Sequence, residues 1–104
     1  MKTVVLYPGR FQPMLPHHAE VYRHLQSEFP DAEVHIVTAD KVEAGRSPFT
    51  ADEKRQIMMQ QHGIPEDRII INNQLYNWKA YENTFDLSNT KLIFAVGGKD
   101  MEGN

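Results

Sequence analysis

Between Tyr7 and Ala19 the chain places a glycine at Gly9, a cation at Arg10, an aromatic ring at Phe11, prolines at Pro13 and Pro16, and the adjacent pair His17 and His18. A helix N-terminus carries unpaired backbone N–H groups and a partial positive charge, so a loop with glycine and arginine that opens a helix suits a phosphate oxygen. The chemistry this arrangement supports is the binding of a phosphate-bearing molecule and the handling of its charge. The same residues also suit a plain turn: Gly9 tightens it, the prolines punctuate it, and the histidines are polar residues at a helix start. Residue types alone leave both readings open. Further cations, Lys41 and Arg46, lie in a polar stretch that ends at Pro48, with Arg55 beyond it, and Gly97-Gly98-Lys99-Asp100 lies near the end of the chain. Asp100 suits either a ribose or Mg²⁺ contact or a turn. His24, His35 and His62 lack the spacing of metal ligands, and no metal site is expected.

The elements that must position these residues follow from periodicity. Thr3 to Tyr7 is a short β-branched run closed by Pro8 and Gly9, as in a strand buried on both faces. Ala19, Val21, Tyr22, Leu25 and Phe29 form one helical stripe and predict a helix over His17 to Phe29. Glu33 to Ala39 reads as a second strand. Thr50 with Glu53 three residues on makes a capping box for a helix over Ala51 to His62, stopped near Gly63. Arg68 to Ile71 gives a third strand, Trp78, Tyr81 and Phe85 suggest a weak third helix, and Lys91 to Val96 gives a fourth strand.

Strand alternating with helix implies an α/β fold with a parallel sheet and three layers, Rossmann-like, in a single domain over residues 1–104. Ligands of such sheets sit beyond the carboxyl ends of the strands where the winding reverses, which singles out the loops leaving strands one and four.

The first of those loops resembles a known pattern. Gly9-Arg10-Phe11-Gln12-Pro13-Met14-Leu15-Pro16-His17-His18 is similar to the G-x-F-x-P-x-H-x-G-H signature of the nucleotidyltransferase superfamily, in the GRFQP form most like nicotinamide-mononucleotide adenylyltransferases. Arg46-Ser47-Pro48-Phe49-Thr50-Ala51-Asp52-Glu53-Lys54-Arg55 resembles the family's N-P-F-T-A-x-E-R stretch, and Phe94 to Asp100 resembles its strand-four ending. The resemblance implies a HUP-type sheet in the order 3-2-1-4-5. It also implies transfer of a nucleotidyl, here adenylyl, group from ATP or a related triphosphate to a phosphorylated small-molecule acceptor such as nicotinamide mononucleotide, with release of pyrophosphate. Mg²⁺ would arrive on the triphosphate. On this resemblance Gly9, Arg10, Phe11, His17, His18, Gly97 and Asp100 bind the nucleotide, His18, Lys41 and Arg46 act on the phosphates, and Trp78 meets the acceptor. Trp78 and its neighbours Tyr76, Tyr81 and Phe85 equally suit a stripe that closes the core, and the spacing favours that reading.

Two departures bear on activity. Leu15 stands where the pattern has its first histidine and His17 where it has glycine, and the family's final I-S-S-T-x-x-R motif has no counterpart. These suggest, as an alternative, a weak or inactive nucleotide-binding module; cytidylyl transfer to a phosphorylated alcohol is a further alternative. They also suggest an apolar edge at the fourth strand, where either a longer natural chain was cut or a second copy of the chain covers that face.

Composition narrows the rest. At 104 residues the chain suits one core, and 40% hydrophobic with 24% charged residues is ordinary for a globular protein. Eleven Lys and Arg against fourteen Asp and Glu give a net charge of -3, so no overall basic field favours nucleic acid or an anionic membrane. The apolar run in the opening MKTVVLYPG is too short for a signal-peptide core or a membrane span, and the chain has no cysteine, as expected of a cytoplasmic protein.

Overall fold

The computed structural model describes residues 1–41 and 49–95. Four strands, β1 (Lys2–Pro8), β2 (Glu33–Thr38), β3 (Ile69–Ile71) and β4 (Thr90–Phe94), form one parallel sheet in the order β3-β2-β1-β4. Helix α1 (Pro16–Glu28) joins β1 to β2, and α2 (Ala51–His62) lies between β2 and β3. This is the expected α/β, Rossmann-like arrangement. The winding reverses between β1 and β4, so the carboxyl end of β1 is the switch point at which such sheets hold ligands. The predicted end of β4 at Val96 lies outside the described residues. No described helix is long and apolar enough to cross a membrane.

Alternation along the strands sorts the core into two faces. Val5, Tyr7, Val34 and Ile36 pack with Ala19, Tyr22 and Leu25 of α1 and Met58 of α2. Val4, Leu6 and Val37 point the other way, against Tyr81 and Phe85. Both α-helices therefore cover one face, while the chain between β3 and β4 covers the other.

Local chemistry sets the ends of each helix. Pro16 opens α1 at a position whose N–H needs no helical partner. Its N-cap is Leu15, whose backbone N–H donates to His18 Nδ1 at 2.9 Å, so an imidazole takes the part that a glutamate or glutamine at the third helical position plays in a capping box. In α2, Thr50 Oγ1 accepts from the Glu53 N–H at 3.1 Å and Glu53 Oε1 accepts from the Thr50 N–H at 2.8 Å. Gly63 then ends α2 in the left-handed region at φ 67°, where glycine is the unstrained choice.

The predicted third helix is not formed. Trp78–Tyr81 is a single 3₁₀ turn, and a second one covers Leu87–Asn89. Asn72 Oδ1 accepts from the Gln74 N–H, Asn77 Oδ1 from the Lys79 N–H and Asp86 Oδ1 from the Ser88 N–H, at 2.8, 3.1 and 3.2 Å. These side chains offer the backbone local partners in place of the helical ladder. The third layer is thus made of turns, and its aromatic residues split: Tyr81 and Phe85 are buried, whereas Tyr76 and Trp78 are exposed.

A buried polar group on this second face makes stability depend on pH. His35 is buried with Nε2 3.1 Å from Glu33 Oε1, its ring packs edge-on to Phe85, and its Nδ1 has no partner among the described residues. Burial first, with repulsion from Arg68 and Lys2, pushes its pKa below the ordinary 6.5, although Glu33 pulls the other way. Below pH 6.5 the unfolded chain therefore takes up a proton that folded His35 resists, so this contribution is complete above that pH and is lost as pH falls toward the folded pKa. His18 is shifted in the same direction. The thermal midpoint is expected to fall between pH 7 and pH 5, and by less in His35→Phe; an equal fall in the variant would remove His35 from this account.

Candidate functional site

Beyond the carboxyl end of β1 the chain runs from Gly9 to Leu15 as a loop tied down at nearly every residue. The Gly9 N–H donates to Val37 O at 3.0 Å, which extends the β1–β2 pairing by one bond. Arg10 O accepts from Thr38 Oγ1 at 2.9 Å and from Lys54 Nζ at 3.2 Å. Gln12 clamps the backbone of Phe49 by two bonds, accepting from its N–H at 2.8 Å and donating to its carbonyl at 3.2 Å. Met14 O lies 2.8 Å from His62 Nε2. Helix α2 and the residue leading into it thus supply partners along the length of the loop.

Phe11 shapes the middle of the loop. It sits at φ 50°, a conformation that costs a non-glycine residue about 1–2 kcal/mol, and its ring is buried edge-on between Tyr7 and His18. A Cβ at Gly9 would come within 3.0–3.1 Å of that ring, so glycine is needed there for close approach.

Two cavities flank the loop and share Gly9 and Arg10. One, of about 340 Å³, is also lined by Phe11, Leu15 and His18. The other, of about 210 Å³, is lined by Lys41, Lys54, Asn73 and Leu75 among others. Arg10, Lys41 and Lys54 contribute positive charge to the second cavity, and among the described residues none that lines either one is a carboxylate. Asp40, next to Lys41 in the chain, is the one acid among the described residues that acts on Lys54. Such a field favours anions.

His18 is held in one protonation form by geometry. Its Nδ1 accepts the Leu15 N–H, so the ring proton lies on Nε2, and protonating Nδ1 would break the cap of α1. Burial, and then the neighbouring His17 and His62, push its pKa below the usual value. At neutral pH the side chain is an uncharged donor in the wall of the larger cavity.

The expected site residues separate into groups. Gly9, Arg10, Phe11 and His18 come together at the larger cavity, and Lys41 joins Gly9 and Arg10 at the smaller one. The Gly9 N–H is taken by Val37 O. The described residues contain no acceptor for the Arg10 and Phe11 N–H groups. His17 lines neither cavity; it is exposed, with its ring 4.0 Å from that of His18. Trp78 lies elsewhere, at a cavity along β4 with Leu87, Thr90, Leu92 and Phe94. Arg46, Gly97 and Asp100 lie outside the described residues. Among the described residues no group of three or more His, Cys, Asp or Glu is placed to hold a metal ion.

Lys54 was missed from the residue pattern. It is 2% exposed and donates to Thr38 Oγ1 at 2.8 Å, Ala39 O at 2.6 Å and Arg10 O at 3.2 Å, which uses all three ammonium protons. The available signal was its place between Ala51 and Met58 on the buried stripe of α2, where a lysine must find partners or stay out of the core. No protein-family model matches the chain, and no curated protein matches it.

Proposed function

We propose that the paired cavities are the site of a nucleotidyl transfer. The phosphates of a magnesium-bound nucleoside triphosphate, ATP in the first instance, take the cavity of Phe11 and His18. A phosphorylated acceptor such as nicotinamide mononucleotide takes the cavity of Lys41 and Lys54. An acceptor phosphate oxygen attacks the α-phosphorus, the bond to the bridging oxygen breaks, and pyrophosphate leaves with that electron pair. No covalent enzyme intermediate is required; the protein supplies alignment and charge stabilisation.

The observation that carries this reading is the shared wall: both cavities meet at Gly9 and Arg10, so two anions bound in them are neighbours across one backbone loop. Arg10 can serve both, and the Nε2–H of His18 supplies a neutral donor on the triphosphate side. With no metal-binding carboxylate cluster among the described residues, the Mg²⁺ in this reading is held by the triphosphate oxygens and water.

Incubation with MgATP and nicotinamide mononucleotide should release pyrophosphate and form the dinucleotide; no turnover at high protein concentration would exclude the reaction. In calorimetry with ATP, His18→Ala is expected to weaken binding by about tenfold or more, the effect of losing one hydrogen bond to a charged oxygen. A second reading, binding without turnover, draws on Leu15, which leaves an exposed apolar side chain in the wall of the triphosphate cavity. Binding of ATP without pyrophosphate release would favour it.

A further inference from the structure

We infer that Lys54 is a positioning residue that turns the Arg10–Phe11 peptide so that the Phe11 N–H faces the His18 cavity as a donor to a triphosphate oxygen. The inference rests on the nucleotide-binding reading above and identifies which backbone donor that site uses and what holds it.

Arg10 O is drawn toward Lys54 Nζ at 3.2 Å and Thr38 Oγ1 at 2.9 Å, on the side of the smaller cavity, where Lys54 forms part of the lining. In a trans peptide the C=O and the following N–H point in opposite directions, and the cis bond of this loop lies further on, between Gln12 and Pro13. The Phe11 N–H therefore points away from Lys54, and Phe11 lines the larger cavity with His18 and not the smaller one. None of the described residues accepts it, whereas the Gly9 N–H two residues earlier is taken by Val37 O.

The side chain is suited to holding the peptide and unsuited to meeting the ligand itself. All three of its protons are donated to protein oxygens, and Thr38 and Ala39, which accept two of them, belong to the end of β2 and the residue after it. Lys54 thus references the loop to the rigid sheet. Thr38 completes the arrangement, since its hydroxyl accepts from Lys54 and donates to Arg10 O. The left-handed backbone of Phe11 fits a peptide held in place by surrounding contacts.

The test follows the Phe11 amide resonance of ¹⁵N-labelled protein during titration with inorganic tripolyphosphate, with adenosine binding measured in parallel. In the wild-type chain the Phe11 amide proton should move downfield. In Lys54→Met that shift should be lost and tripolyphosphate affinity should fall by about tenfold, the range expected for a charge-assisted bond, with adenosine affinity unchanged. Thr38→Val, which keeps the lysine, should give a smaller loss, and Thr38→Ser should restore the wild-type response; this pair carries the test if Lys54→Met does not fold. Variants that keep both the shift and the affinity would overturn the positioning role and leave the transfer reading standing. Equal losses for adenosine and tripolyphosphate would reduce Lys54 to a purely structural part and also overturn it. A wild-type loop that tripolyphosphate leaves unmoved at both Phe11 and His18 would overturn the transfer reading and this inference together.

Discussion

Leu15→His is expected to raise the rate of pyrophosphate release from MgATP and nicotinamide mononucleotide by about a hundredfold. The magnitude is that of one preorganised donor in a transition state, about 2.7–4 kcal/mol. The position is suited to the change. Leu15 is 45% exposed and shares the larger cavity with His18, so an imidazole there loses little packing and stands beside the donor already present. The cap of α1 is unaffected in principle, because it uses the Leu15 backbone: the N–H donates to His18 Nδ1 and the carbonyl accepts from the His18 and Ala19 N–H groups at 2.9 and 3.2 Å. Leu15→Phe, which adds no donor, should not raise the rate. If the two imidazoles act on the same phosphate, the gain should shrink when His18→Ala is combined with Leu15→His, since groups sharing one partner are not additive. An unchanged rate in Leu15→His would place the transfer outside this cavity.

The contrast between Leu15 and Lys54 shows how much of the site was legible from residue order. Features with short-range causes were plain: the Thr50–Glu53 box marks the start of α2, Gly63 its end, and the apolar run from Lys91 the strand that becomes β4. The loop between β1 and α1 could likewise be singled out, because Gly9, Arg10 and His18 are close in the chain and the switch point follows from strand order. What ties the loop in place was not legible. Gln12 and Phe49 are 37 residues apart, Arg10 and Lys54 are 44 apart, and Met14 and His62 are 48 apart. No local pattern specifies such pairs. Lys54 is the clearest case, since an exposed lysine on α2 is the ordinary expectation and only the Thr38 hydroxyl and the Ala39 and Arg10 carbonyls make its burial tolerable. The segment after β3 failed for the opposite reason. Its aromatic spacing suggested a helix, but its asparagines satisfied the backbone locally and left 3₁₀ turns in that place.

That turn-built layer concentrates its packing in one side chain, and the second large effect is expected there. Tyr81 is fully buried, lies edge-on to Phe94 at 6.0 Å and joins Val4, Leu6 and Val37 on the face that carries no α-helix. Its hydroxyl donates to Leu75 O at 2.6 Å, which fixes the chain between β3 and the first 3₁₀ turn. Tyr81→Ala should cost about 3–5 kcal/mol, as removal of a large buried aromatic side chain does, against a total of about 5–15 kcal/mol for a domain. Tyr81→Phe keeps the packing and strands the Leu75 carbonyl, for a loss of about 1–3 kcal/mol. Trp78→Ala, three residues away on the exposed side, should stay within about 0.5 kcal/mol. Burial, then the nearby Tyr76, push the Tyr81 hydroxyl up to about 12 from its ordinary 10. Because folded Tyr81 keeps its proton longer than the unfolded chain does, this contribution is whole below pH 10 and is lost as pH rises toward 12. Urea denaturation of the three variants at neutral pH, and of the wild-type chain and Tyr81→Phe between pH 9 and pH 11, reads both effects. The alkaline loss should be smaller in Tyr81→Phe, and equal losses in Tyr81→Ala and Trp78→Ala would show that the layer does not depend on Tyr81.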